Sequence, residues 1–367
     1  MPKTRIGILT GGGDCAGINP AIKWAVKTAL DERLEQERGG EFGVVGIRDG
    51  WLGLIDPTER VIPLDQETVR TWDRYGGTYL GTTRTNPFNP DRSHTVLSSI
   101  KSLELDAIIA IGGDDTLGVA HKLGQQGVNV VCIPKTIDND LAGTDYTLGF
   151  ETALHIITEE VDRLRTTAGS HRRIFVVETM GRYAGWLALK GGESAGAYII
   201  LIPEYPFSVD RINQLILEGR RAGNRYQIVV VAEGARPASG AEFFRDGTID
   251  GFGHKPLGGV GEYLAREIQA GTGLESRCVV LSHLQRGGAP CAYDRRMGRY
   301  FGIAAVDLVI RHQFGRMVSY RNGQVTSVPL EEVIGRSHLV DVAAQYDTDR
   351  YNGCRTILRQ EAITAPS

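Results

Sequence analysis

The apolar positions of this chain fall in short unbroken runs. Arg5–Thr10, Val44–Ile47, Ala107–Ile111, Val128–Ile133, Arg173–Glu178, Tyr198–Ile202, Gln227–Ala232 and Arg277–Leu281 are such segments, most of them stopped by glycine, proline or polar residues. Runs of this kind predict strands in sheets covered on both faces. Between them the period changes. Leu154, Ile157, Val161 and Leu164 recur at helical spacing and predict an amphipathic helix over 152–167, with Glu159, Glu160, Asp162, Arg163 and Arg165 on its solvated face. After the first strand, Asn19 as N-cap and Pro20 at the first helical position predict a helix carrying Ile22, Ala25, Val26, Ala29 and Leu30. Strands alternating with helices predict a doubly wound α/β architecture with largely parallel sheets. The glycine-rich stretch Phe243–Gly261 has no period and predicts a long loop.

In open α/β sheets, ligands bind off the carboxyl ends of the strands. Ala107–Ile111 runs into Gly112-Gly113-Asp114-Asp115, and Val128–Ile133 runs into Pro134-Lys135-Thr136 followed by Asp138-Asn139-Asp140. Four carboxylates and an ammonium at one crevice repel one another unless a cation and an anionic substrate share the space. A divalent metal with phosphate groups meets that requirement. Taken singly, Gly112–Asp115 is equally a turn, Asp138–Asp140 equally a pair of Asx turns, and Lys135 more often a solvated lysine. The conjunction of both acidic ends after neighbouring strands favours a site.

Gly11-Gly12-Gly13-Asp14 lies between a strand and a helix, the layout that aims backbone N–H groups at a phosphate. Gly11–Ala16 also fits the dinucleotide pattern G-x-G-x-x-A, so a nicotinamide oxidoreductase is a reading from another class. It lacks the acidic residue at the end of a second strand, and it leaves the acidic stretch unexplained. Gly76–Arg84 (GGTYLGTTR) is a second glycine-rich loop and ends in a cation.

Composition narrows the classes further. The 367 residues suffice for two domains, and a net charge of −3 gives no overall pull toward nucleic acid or membrane. Five cysteines without a CxxC pair suit a reducing compartment. The first strand begins too early for a signal peptide, and no apolar run is long enough to span a bilayer, so a cytoplasmic location is expected.

The strings TGGGDCAGIN, GTTR, GGDDT, PKTIDND, GTDYTLGF, HRRIFVVETMGRYAGW, VVVAEGA and SHLQRGG resemble the phosphofructokinase family, over about Arg5 to Arg316. The resemblance implies two doubly wound domains with the active site in the cleft between them. It divides the chain into a donor-binding domain, 1–149 plus about 285–335, and a sugar-phosphate domain, 150–284 plus about 336–367. It also implies a reaction, in-line phosphoryl transfer to the 1-hydroxyl of fructose 6-phosphate with Mg²⁺ as cofactor.

The same resemblance assigns residues. Asp138 is the general base, assisted by Asp140, with Thr136 holding the transferring group, Arg182 in the catalytic set and Asp114 on the metal. Gly12, Gly13, Arg84, Asp115 and Lys135 bind the donor. Thr136, Asp138, Arg173, Met180, Gly181, Arg182, Glu233, Arg277, His283 and Arg286 bind fructose 6-phosphate. Arg173 and Arg277 come from the adjacent subunit, which implies a homodimer or homotetramer with shared sites. No nucleic-acid or membrane partner is expected.

Two departures bear on the donor. ATP-using relatives have glycine where this chain has Asp115 and Lys135, and TNPFNP after Arg84 lacks a basic residue that nucleoside-triphosphate users commonly carry. A carboxylate at 115 would repel the α-phosphate of a nucleotide, and pyrophosphate has no α-phosphate. The combination resembles the pyrophosphate-dependent 6-phosphofructokinases, with the ATP-dependent enzyme as the alternative.

Overall fold

The computed structural model describes residues 4–33, 41–244, 252–253 and 257–357. The chain forms two compact units. One takes in Met1–Ile156 and His283–His338 with the described part of Arg245–Pro256; the other takes in Ile157–Phe244, Leu257–Ser282 and Leu339–Ser367 as far as described.

The first unit is built on a seven-stranded sheet. Its strands in chain order are β1 (Thr4–Thr10), β2 (Phe42–Ile47), β3 (Val61–Leu64), β4 (Ala107–Gly112), β5 (Val130–Pro134), β10 (Arg316–Arg321) and β11 (Gln324–Pro329), arranged β11-β10-β5-β4-β1-β2-β3. The five central strands are parallel, and antiparallel β3 and β11 close the two edges. β4 and β5 are buried along their whole length, so their unbroken apolar runs reflect helices on both faces. The helices are α1 (Ile18–Ala29), α2 (Ser93–Ser102), α3 (Asp114–Gln125), the start of α4 (Phe150–His171) and α8 (Ala292–Ile310).

The second unit holds a four-stranded sheet, entirely parallel, in the order β7-β8-β6-β9. These are β6 (Ile174–Thr179), β7 (Ile199–Leu201), β8 (Gln227–Ala232) and β9 (Ser276–Val280), with helices α5 (Trp186–Ser194), α6 (Val209–Arg221) and α7 (Val260–Thr272). Ser208 caps α6 by accepting the Arg211 N–H at 3.3 Å, and the buried carboxylate of Glu178 takes the N–H groups of Gly259 and Gly261 where α7 begins, at 3.1 and 2.8 Å.

Several elements differ from the sequence expectation. α1 starts at Ile18 behind Gly17, and Asn19 lies inside the helix. Its amide is used across the fold, donating to the carbonyls of Tyr75 and Gly76 at 3.0 Å while its oxygen accepts the Tyr79 N–H at 2.9 Å. α4 is longer than 152–167 at both ends, and its residues 150–156 belong to the first unit. Asp294 on α8, fully buried, ties the start of α4 to this unit by accepting the N–H groups of Gly149 and Thr152 at 2.6 and 2.8 Å.

The edge strands β3 and β11 and the neighbouring β10 are not among the strands that the sequence predicts: β3 is a run of four interrupted by Pro63, and β10 and β11 interleave polar residues. The hairpin before β11 turns at Asn322-Gly323, both left-handed (φ 51° and 80°), a frequent hairpin turn pair. Most of Phe243–Gly261 lies outside the described residues, and its last two positions already belong to α7. No helix among the described residues is long and apolar enough to cross a membrane.

Candidate active site

β5, β4 and β1 are adjacent and parallel, so the turns after their carboxyl ends converge. The Gly11 N–H donates to the Ile111 carbonyl and the Lys135 N–H to the Gly112 carbonyl, both at 3.0 Å. The loop Gly76–Arg84 closes on the glycine turn from another side. The Thr82 hydroxyl donates to Gly12 O at 2.6 Å, and the Thr10 hydroxyl to Gly81 O at 2.7 Å. Gly12 is left-handed at φ 77°, a conformation natural to glycine.

Lys135 is only 2% exposed, which excludes the reading of a solvated surface lysine. Its ammonium donates to the Gly11 carbonyl at 2.9 Å and also to the Gly13 carbonyl. Burial pulls it down to about 8, helped by the like charges of Arg286 and Arg84 and opposed by Cys15 and Asp14. Cys15, also buried, is pushed up to about 12 by loss of solvent and is a neutral thiol. The lysine thus puts positive charge directly under the glycine turn.

Arg286 stands against the same turn. Its Nη1 donates to the Asp14 carbonyl at 3.1 Å, and a Cβ added to Gly13 would lie 2.5 Å from that nitrogen. The resemblance gives Arg286 to the sugar phosphate; in the structure its guanidinium rests on the glycine turn at Gly13-Asp14. Arg84 is exposed at the end of its loop, near enough to act on Lys135. Asp114 and Asp115 form the first turn of α3, where the helix dipole favours carboxylates.

After β5 the chain forms a tight acidic loop. The Thr136 hydroxyl accepts the Asp138 N–H at 3.2 Å and hydrogen-bonds the Asp140 carboxyl. Asn139 between them is left-handed (φ 53°), and its side-chain oxygen accepts the N–H of Thr147 at 2.9 Å and its hydroxyl at 3.2 Å. Burial raises Asp140 to about 7, with the charges of Asp138 and Asp114 adding to the shift. The three carboxyl groups therefore share one field, and near neutrality Asp140 can carry a proton. Among the described residues no three His, Cys, Asp or Glu side chains converge to hold a metal by themselves.

In the second unit, Met180, Gly181, Arg182 and Glu233 form one loop cluster at the carboxyl ends of β6 and β8. The Glu233 N–H donates to Thr179 O at 2.8 Å and the Gly234 N–H to Gly181 O at 3.1 Å. A Cβ on Gly234 would fall 1.9 Å from the Arg182 carbonyl, so only glycine allows that approach. Arg173 and Arg277 stand at the opposite, amino ends of β6 and β9. Both are tied to Glu275, Arg173 through Nε at 2.6 Å and Arg277 through Nη2 at 2.7 Å. At about 3.3 Å per residue along β6, Arg173 is roughly 20 Å from Met180. The structure thus separates two of the predicted sugar-phosphate ligands from the other four in this unit. His283 is exposed in the short 3₁₀ turn Ser282–Arg286 and falls in the first unit.

Thr82, Thr147, Asn139 and Glu275 carry no assigned role in the sequence reading, although Thr82, Thr147 and Asn139 lie within the strings GTTR, GTDYTLGF and PKTIDND. Their roles are contacts to main chain or to an arginine distant in sequence, and such partners leave no spacing signal.

A doubly wound α/β unit with a glycine turn, a buried ammonium and a triad of carboxyl groups at its strand ends defines the class, a site for phosphate groups and phosphoryl transfer. The family model described as Phosphofructokinase matches residues 5–309, and the chain belongs to that family. It is 50% identical over 330 residues to a pyrophosphate–fructose 6-phosphate 1-phosphotransferase of Amycolatopsis methanolica, covering 89% of this chain and 94% of the relative. It is 43% identical over 331 residues to ATP-dependent 6-phosphofructokinase 3 of Streptomyces coelicolor, covering 90% and 94%. The crystal structure of a pyrophosphate-dependent phosphofructokinase from Nitrosospira multiformis superposes with a TM-score of 0.82 at 21% identity, covering 96% of this chain and 89% of that one.

Proposed function

We propose that this protein transfers a phosphoryl group from pyrophosphate to the 1-hydroxyl of fructose 6-phosphate. The observation that carries the donor assignment is the pairing of Asp115 in the first turn of α3 with the buried ammonium of Lys135 under Gly11–Gly13. A nucleotide would bring its α-phosphate against a carboxylate. Pyrophosphate brings no third phosphate, and Lys135 supplies charge to the two it has. The higher identity to the pyrophosphate-named relative than to the ATP-named one supports the same reading.

Asp138 takes the proton of the attacking hydroxyl, and Asp140, raised by burial, can carry a proton near neutrality and so limits the negative charge beside it. The Thr136 hydroxyl bonds the Asp140 carboxyl and the main-chain N–H of Asp138, which fixes the loop that carries both. Gly12, Gly13, Arg84 and Lys135 hold the donor, and Met180, Gly181, Arg182 and Glu233 present one face for the sugar. Carboxylates following two adjacent strands, Asp114 after β4 and Asp138 and Asp140 after β5, suit a hard divalent cation that completes its shell with water and phosphate oxygens. Mg²⁺ held by Asp114 would neutralise charge on the donor oxygens.

The separation of Arg173 and Arg277 from the Met180–Glu233 cluster supports their serving a neighbouring subunit's site, in a homodimer or homotetramer. Their shared partner Glu275 leaves the rest of each guanidinium fork available for a phosphate.

Initial rates with pyrophosphate and with ATP, at fixed fructose 6-phosphate and Mg²⁺, test the donor. We expect a higher kcat/KM for pyrophosphate, and a shift toward ATP in Asp115→Gly plus Lys135→Gly. A wild-type protein that prefers ATP overturns the assignment.

A further inference from the structure

The acidic loop is gripped from behind by residues far along the chain. Ser337 forms an isolated antiparallel bridge with Leu141, and the His338 N–H donates to the Asp140 carbonyl at 2.8 Å. The His338 ring adds a side-chain contact, its Nδ1 lying 3.0 Å from the Asn139 carbonyl. A carbonyl only accepts, so Nδ1 carries the proton there.

Asn139 is the hinge of this loop. It stands between the two carboxylates in the left-handed region (φ 53°), a conformation that a side-chain-bearing residue holds only when its surroundings enforce it. Thr147 fixes its side chain on one side. His338 fixes its carbonyl on the other. Together they set the plane of the peptide joining Asn139 to Asp140, and with it the mutual orientation of Asp138 and Asp140. A rotation of that peptide would turn the two carboxyl groups away from each other without touching either substrate.

We propose that His338 is a positioning residue for phosphoryl transfer, acting through the Asn139 carbonyl to hold Asp138 and Asp140 in register. The inference rests on the reading of Asp138 as the base. It predicts that a donor at the Nδ1 position sustains turnover, since the main-chain bonds of residues 337 and 338 survive substitution of the ring. Asn places an amide N–H₂ near where Nδ1 stands, whereas Gln places it near Nε2, beyond the carbonyl.

His338→Asn and His338→Gln, compared in the assembled protein, provide the test. We expect His338→Gln to lose about 10- to 100-fold in kcat, the scale of a small misplacement of reacting groups, with KM for both substrates within about two-fold of wild type. His338→Asn should recover most of that loss at a similar Tm. Equal activity in the two variants, or a loss expressed mainly in KM, overturns the proposal. Asp138→Asn run alongside separates the two readings: if it keeps wild-type kcat, the assignment of the base has failed; if it is inactive while His338→Gln is fully active, only the role of His338 has failed.

Discussion

Replacing Lys135 by Met removes the ammonium while keeping nearly the same length and volume, and it sets two structural terms against each other. The carbonyls of Gly11 and Gly13 lose a donor, at about 1–3 kcal/mol each where they remain dry. Against this, burial has moved the lysine from 10.5 to about 8, so carrying it charged at neutral pH costs the fold roughly 3 kcal/mol, at about 1.4 kcal/mol per pKa unit. The two nearly cancel, and the Tm of the variant should lie within about 5 °C of wild type. Binding has no such cancellation. Loss of one partner of a buried charged hydrogen bond costs about 2–5 kcal/mol, so kcat/KM for pyrophosphate should fall by at least about thirty-fold while KM for fructose 6-phosphate holds. The pH dependence sharpens the test. Because the folded pKa is lowered, the unfolded chain holds the extra proton between about 8 and 10.5, so the lysine's contribution to stability rises with pH across that window. Over the same window kcat/KM for pyrophosphate should fall as the ammonium is lost. Opposite trends in stability and activity, both weakened in Lys135→Met, are the signature. A large loss of Tm with unchanged pyrophosphate kinetics would refute the reasoning and leave Lys135 as a strut for the glycine turn.

Asp138→Asn should fold normally and keep its sugar-phosphate affinity while kcat drops by roughly 10²–10⁴-fold, the range of a general base; unchanged turnover in a rapid-quench assay removes Asp138 from that role. Asp138→Asn and Arg277→Ala proteins, each nearly inactive, should regain activity when unfolded and refolded together, because some mixed sites combine an intact base with an intact arginine. No recovery, with mixed assembly verified by differently tagged chains, means that Arg277 serves its own subunit.

Much of this protein was legible along the chain because its information is local. Ala107–Gly112 and Val130–Pro134 are apolar throughout since helices cover both faces of the sheet, and a strand of that kind needs no knowledge of its partners to be recognised. The carboxylates at 114, 115, 138 and 140 follow directly from those strands, and PKTIDND identified the family. What tertiary structure decided was the environment of those residues. Lys135 read alone is an ordinary surface lysine, and only the adjacency of β5, β4 and β1 buries it under Gly11–Gly13. Asn19 has the composition of a helix cap, but a loop some 60 residues on takes up its hydrogen bonds. Arg173 and Arg277 flank apolar strands just as Met180 and Glu233 do, and their opposite placement follows from which end of a parallel strand each occupies. The grip of His338 on Asn139 spans 199 positions. Contacts closed by folding over such distances depend on geometry that no local spacing encodes, which is why the acidic loop could be found from sequence while what holds it in shape could not.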